Sequence, residues 1–584
     1  MIVTVPPRFR RSLPRSVGGV VASVLAGLCA LLYPGEGTVS LAVAGTTGGA
    51  PAARPAAVAR PVVTPPEDAA PAPGLSDGPA CPASRDPGWL GAENRRPGDR
   101  LALPAGKVTA ASVVGYADRS SAACGELVTL QLAGPASAVR LVAYRIGDYH
   151  GTGARVVWRS APVQVAPQAM PSGEAFPHLV EPQWPLATTV AVDGTWTPGF
   201  YLIVPVGATG ARAGRVLGPA IPLTVRDDAS IAPVLFKAST LTWQAYGEWG
   251  GWSLYHGPRG SGAVAAAARA RVVSLQRPLV GAGYAQMQYM DLPVVRQLER
   301  IGLDVAYTTD EDVDERPDSL QGHAEIVTGG HGEYWTRPMY DGLLRAASAG
   351  VNLVFLGANN LWWQARLERS PVASRPDRMA VYRSVAEDPV SRTDPLLTTT
   401  LWGPAPHFRD PAAVLGESHA AIGVHGGLQV MDAPAWFLAG SGLTGGSVLP
   451  GSVGNEAAGY NVRGQNPATT QVLLAGVLRG ARGPAVVSAD YSTRPSGAAV
   501  FAAGTTDWAC VPAGECFDVT PPAATVTAVG ILTRNVVLTF AHPRAGLAHP
   551  SSPVVPFVAA QLMPRLAPAA IGSYGAATPE NDTD

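Results

Sequence analysis

The chain has 584 residues, 47% of them apolar, so it holds material for a substantial core and is not a disordered polymer. Its 43 basic and 44 acidic residues nearly cancel to a net charge of −1, which leaves no basic footprint and argues against a nucleic-acid partner. Charged residues reach only 15%, while 66 glycines and 55 prolines point to many turns and linkers.

Arg8, Arg10, Arg11 and Arg15 precede an uncharged apolar run over residues 17–32. A basic start followed by such a run is the signature of a secretory signal peptide, and residues 1–44 are read as one, with Ala42-Val43-Ala44 as the cleavage site. The run falls short of the roughly 20 residues that span a bilayer comfortably, yet an uncleaved N-terminal membrane anchor stays open, as does a twin-arginine route through Arg10-Arg11. Either way the chain is expected to be secreted or held at the cell surface. Residues 45–80, rich in Ala, Pro, Gly and Thr, read as an extended linker.

Cys29 lies inside the signal, leaving Cys81, Cys124, Cys510 and Cys516. An even count in an oxidising compartment suggests two disulfides, with proximity favouring Cys510–Cys516 and leaving Cys81–Cys124. A zinc site of four thiolates is the rival, but its paired C-x2-C spacing is missing.

Short alternating runs at 127–132, 139–144 and 200–204, separated by turn residues, predict an immunoglobulin-like β-sandwich over residues 81–228. From 229 to 545 the pattern becomes α/β. Apolar strands are expected at 233–236, 272–275, 303–307, 325–327 and 351–356. One helix is expected to start at Asp291 and stop at Gly302, and another to run from the cap Thr336 to Gly350. Residues 395–470 read as irregular, Gly-rich loops or a β insertion, with the pattern resuming at 472–478 and strands at 485–488 and 498–502. Residues 546–584 read as a disordered tail.

In an open parallel sheet the ligand site lies beyond the carboxyl ends of the strands. That rule selects residues 243–255 after the first strand, 328–335 after strand 325–327, and 357–360 after strand 351–356. These loops carry Tyr246, Tyr255, His331, Glu333 and Asn359 among glycines and aromatics. No cysteine lies between 124 and 510, so cysteine nucleophilic catalysis is excluded there. A G-x-S-x-G elbow and zincin spacing are also missing. What remains is oxygen-rich, and such donors suit a hard, highly charged ion such as ferric iron.

The motifs Tyr246-Gly247-Glu248-Trp249-Gly250-Gly251-Trp252-Ser253-Leu254-Tyr255, His331-Gly332-Glu333-Tyr334-Trp335 and Leu356-Gly357-Ala358-Asn359 resemble the large (β) subunit of N,N-dimethylformamidase and its relatives. Tyr144-Arg145-Ile146-Gly147-Asp148-Tyr149 is similar to a signature that precedes this domain in the family. The resemblance runs from about 125 to 540 and implies a flavodoxin or glutamine-amidotransferase-like parallel sheet. It implies hydrolysis of a small, non-peptide amide at a mononuclear iron (Fe3+) held by Tyr246, Tyr255 and Glu333, with His331 and Asn359 as catalytic neighbours. The expected partner is a small amide-type substrate, with membrane association and oligomer formation left open. The alternative is a non-catalytic cell-surface binding module with a degenerate site.

Overall fold

The computed structural model describes residues 79–574, apart from 83–84, 102, 104–105, 259–267, 372, 481–482, 518 and 554–558. The expected signal peptide, nearly all of the linker and the last ten residues of the expected tail lie outside the described residues. The architecture is mixed α/β, with many strands in several sheets and few helices.

Residues 114–226 build two sheets. Val114–Ala117, Leu127–Ala133 and Leu186–Ala191 form the smaller. Ser121–Ala123, Ile221–Arg226, Gly199–Gly207, Ser137–Ile146 and Ala154–Arg159 form the larger. Alternate residues of the facing strands are apolar, so Val128, Leu130 and Leu132 pack with Val139, Leu141, Tyr201 and Ile203 between the layers.

The second block is organised by a ten-stranded sheet. Its first half contains β1 (Val234–Ala238), β2 (Val305–Thr309), β3 (Glu325–Thr328) and β4 (Asn352–Phe355). Its second half contains β5 (Ser418–Val430), β6 (Val448–Gly459), β7 (Gln471–Gly480) and β8 (Gly483–Thr493), with β9 (Ala499–Ala502) and β10 (Ile571–Tyr574). The spatial order is β2-β1-β3-β4-β9-β8-β7-β10-β5-β6. The pairings from β2 to β9 are all parallel, whereas β8 meets β9 antiparallel and opens the second half.

Helices cover the parallel half because its strands are apolar on both faces. Val234, Phe236 and Ala238 point to the layer holding α2 (Leu292–Ile301) and α5 (Ala523–Phe540). Leu235, Ile326 and Leu353 point to the layer holding α1 (Thr240–Tyr246), α3 (Asp310–Glu315) and α4 (Arg337–Ala349). Helix α4 begins where expected, with Thr336 Oγ1 accepting from Met339 N, and ends on Gly350 at φ 100°.

Three sequence expectations differ from the observed chain, and a fourth, open between two readings, is decided. Asp291 does not start a helix: helical backbone already runs from Ala282, through a wider turn at Met287–Asp291, into α2. The cause is burial, since Tyr284, Met287 and Met290 continue the apolar face backwards, and the Asp291 carboxylate instead accepts from Ser239 N and Trp243 Nε1. Strand Val272–Ser274 stays outside the large sheet and pairs antiparallel with Arg378–Ala380 in a separate four-stranded sheet. Residues 418–459, read as loops or a β insertion, form a long antiparallel hairpin, the second of those alternatives. Its glycines lie where other chain atoms pass closely: a Cβ on Gly427 would stand 2.6 Å from the backbone Ala569 O, and one on Gly454 would stand 2.0 Å from the side-chain Asp507 Oδ2. Finally, part of the expected tail is built into the sheet, because β10 lies between β7 and β5.

Candidate functional site

The strand order reverses between β1 and β3, and the loops leaving their carboxyl ends meet there. Tyr246 ends α1, Tyr255 follows on the same connection, and His331 and Glu333 lie on the loop after β3. Asn359 lies after β4 in the left-handed region at φ 54°, as does Leu361 at φ 58°. Two glycines let these loops touch. A Cβ on Gly357 would stand 1.8 Å from Gly330 O, and one on Gly329 would stand 1.6 Å from Asp291 Oδ1.

The five rim residues come together. Tyr246 and Tyr255 stack at 4.2 Å between ring centroids, and both donate to the same oxygen, Glu333 Oε2, at 3.0 and 2.5 Å. His331 Nε2 stands 3.7 Å from Glu333 Oε2 and 3.3 Å from Glu456 Oε2. Asn359 Nδ2 donates to Glu456 Oε2 at 2.8 Å. Backbone contacts fix the loop, with Glu333 N donating to Thr242 Oγ1 and Gly332 N to Asn360 Oδ1.

Sequence reasoning missed Glu456, Gln286 and Arg383. Glu456 sits on β6, within a Gly-rich stretch that gives no strand period, although it is the single charged residue of that strand. It also accepts from Tyr246 OH at 3.3 Å. Gln286 Oε1 lies 3.1 Å from His331 Nδ1 and sets the orientation of the ring. Arg383 lies over the Tyr255 and Trp363 rings, and its Nη2 donates to Tyr334 OH, which in turn donates to Tyr255 OH. Nothing in the spacing of Arg383 singles it out.

Electrostatics divide the site in two. Burial, then the Glu333 charge, push both stacked phenols well above their ordinary value of 10.0. Burial raises the Glu333 carboxyl to about 7 against the pull of His331. Burial depresses His331, but Glu456 outweighs it and lifts the imidazole to about 8. Burial likewise opposes ionisation of Glu456, yet His331 holds that carboxyl below its ordinary range. His331 and Glu456 are therefore a buried ion pair beside a cluster of protonated phenols.

That cluster fits a hard cation. Two phenol oxygens converge on Glu333 Oε2, their ionisation favoured only by a nearby positive charge, and Asn359 Oδ1 is buried with no partner among the described residues. A second grouping does not fit one: Asp507, Cys510 and Cys516 lie together, but the two sulfurs are bonded to each other and offer no thiolate. The other disulfide joins Cys81 to Cys124.

A family model described as N,N-dimethylformamidase beta subunit-like, C-terminal, matches residues 140–515. No curated protein matches the chain. The matched span contains both stacked tyrosines, Glu333, His331, Asn359 and Glu456.

Proposed function

The chain belongs to the N,N-dimethylformamidase beta subunit-like family, and from that premise we propose that it is a hydrolase of non-peptide C–N bonds in small amides. The observation that carries this reading is the convergence of Tyr246 and Tyr255 on one Glu333 oxygen beside the buried His331–Glu456 pair. The β2-β1-β3-β4-β9 order supports a flavodoxin or amidotransferase-like domain, and the two facing sheets before it support an immunoglobulin-like sandwich. The two disulfides support an oxidising compartment and hence an exported chain, secreted or anchored at its N-terminus.

Tyr246, Tyr255 and Glu333 would hold a mononuclear iron. When bound, ferric iron supplies Lewis acidity for an amide carbonyl and for water. The chain's own residues handle the protons and the orientation. His331 Nε2, held beside the Glu456 carboxylate, is placed to deliver a proton to the departing amine nitrogen, while Glu456 returns one taken from water through the same ring. Asn359 Nδ2 fixes the Glu456 carboxylate, and Gln286 fixes the far side of the imidazole. Arg383, stacked on Tyr255 and Trp363, walls the site and holds the phenol pair in place through Tyr334.

Protein purified with iron supplied is expected to show a visible tyrosinate-to-iron charge-transfer band that Tyr255→Phe removes, together with hydrolysis of small formamides or acetamides. Absence of bound iron, or a band unchanged in Tyr255→Phe, overturns the reading. Capture on cell-wall polymer that survives Glu333→Gln, with no amide turnover, would point instead to a non-catalytic surface module.

A further inference from the structure

A second group of buried oxygens lies in the antiparallel half of the sheet, apart from the phenol site. Ser488, Asp490 and Ser492 alternate along β8 and so share one face of it. Gly416, at φ 83°, ends a short helical turn and brings the chain over that face, placing Glu417 just before β5. A Cβ on Gly416 would stand 3.3 Å from Thr470 Oγ1 and 3.7 Å from Asp490 Cβ, so Thr470 and Asp490 flank this turn together.

Glu417 and Asp490 are both fully buried. Neither Glu417 oxygen has a hydrogen-bond partner among the described residues, and Asp490 is bonded through Oδ2 to Ser488 Oγ while its Oδ1 has none. Thr470 Oγ1 and Ser492 Oγ, on side chains at 4% and 1% exposure, are likewise without partners among the described residues. Five oxygens are thus buried without partners, on two acids and two hydroxyls. A buried carboxylate with neither counter-charge nor hydrogen bond is costly. Burial, then the Asp490 charge, drives Glu417 well above its ordinary range, and burial raises Asp490 against its bond from Ser488, with no basic side chain among the described residues offsetting either.

We propose that Glu417, Asp490, Thr470 and Ser492 form a structural site for a divalent cation, with Ca2+ the ion the donors suit. All the donors are hard oxygens, without the phenol, imidazole or thiolate that would favour a transition metal. Two carboxylates match a charge of two. A bidentate Glu417 with Asp490 and two hydroxyls gives five ligands, and a flexible oxygen shell completed by water accommodates Ca2+ more readily than Mg2+, which demands near-ideal octahedral geometry. The ion would tie the entry of β5 to β8, in the half of the sheet that also carries Glu456 on β6.

The test uses the full chain after exhaustive chelation. Adding Ca2+ alone is expected to bind one ion per chain by equilibrium dialysis and to raise Tm by a few degrees, on the order expected for a saturating ligand. Glu417→Gln and Asp490→Asn are each expected to lose the Ca2+ response while keeping a chelated-state Tm equal to or above that of the parent, because they remove buried charge rather than packing. A parent chain whose Tm ignores Ca2+ and which binds none overturns the proposal and leaves the two carboxyls as a protonated pair, as does a Ca2+ response retained in both variants. Should a variant not fold, the titration of the parent chain decides alone. Neither readout involves iron or amide turnover, so failure here is distinct from failure of the hydrolase reading.

Discussion

Arg145, near the end of the strand Ser137–Ile146, and Glu299, on α2, form a bidentate ion pair with no exposure on either side chain. Arg145 Nη2 meets Glu299 Oε1 at 2.7 Å and Nη1 meets Oε2 at 3.2 Å, while Nε and Nη2 also donate to Pro198 O. Tyr307 OH and Asn94 Nδ2 complete the acceptor side. The Tyr144-to-Tyr149 signature thus clamps the two blocks together through Arg145.

Removing one partner leaves the other charged and buried, which costs about 3–5 kcal/mol. Glu299→Gln and Arg145→Met are each expected to lower the unfolding free energy from urea titration by that order, and the double variant to recover part of the loss. Equal and additive losses in the double variant would show that the pair is not coupled.

Asp291 makes stability depend on pH in a defined direction. Burial raises its carboxyl to about 7, its Oδ1 has no partner among the described residues, and Oδ2 takes bonds from Ser239 N and Trp243 Nε1. The folded chain therefore keeps this proton when the unfolded chain, with an ordinary Asp near 3.9, has released it. Its contribution is fully present below about pH 4 and is lost as pH rises toward about 7, at up to roughly 1.4 kcal/mol per unit. Urea unfolding of the parent and of Asp291→Asn across that window is expected to show the parent losing stability relative to the variant. A constant difference between the two would remove Asp291 as the titrating group.

The parallel half of the sheet is legible in the sequence because β1, β3 and β4 are short apolar runs set between helices with clear stops, Gly302 and Gly350. The rim follows from it, since Tyr246, Tyr255, His331, Glu333 and Asn359 all lie just past strand ends. The β5–β6 hairpin is legible only as loops or a β insertion, for the opposite reason. Gly426 and Gly427 stand where another backbone crosses within contact distance, and Gly454 stands against the Asp507 carboxylate, so the composition carries no clear strand period while the backbone is sheet. Glu456 is hidden with it: its role depends on β6 passing beside His331, a long-range contact that no local period encodes. Helix α5 escapes notice because it is apolar nearly all round, half of it buried, and so shows no amphipathic stripe.

The disulfides differ in how much chain they restrain. Cys81–Cys124 closes a separation of 43 residues and Cys510–Cys516 one of 6. Loop-closure entropy assigns about 4 kcal/mol to the first and about 2 kcal/mol to the second. Paired Cys→Ala replacement at each bond, followed by denaturant unfolding, is expected to reproduce that order. A larger loss at Cys510–Cys516 would mean that native packing around the fully buried Cys510, rather than chain entropy, sets the effect.

Glu456 offers a way to test the proposed division between proton handling and metal holding. It lies 3.3 Å from His331 Nε2 and is bonded by Asn359 Nδ2, whereas both phenols make their shorter bonds to Glu333. Glu456→Gln keeps the shape and the bond from Asn359 but withdraws the charge that holds the proton on His331. Turnover of a small amide is expected to fall by about 100-fold to 10,000-fold, the usual worth of a positioned acid–base group. Iron content and the charge-transfer band are expected to persist, because the Tyr246, Tyr255 and Glu333 oxygens are untouched. Loss of iron together with activity would instead make Glu456 part of the metal-holding set, and unchanged turnover would remove the His331–Glu456 pair from the reaction.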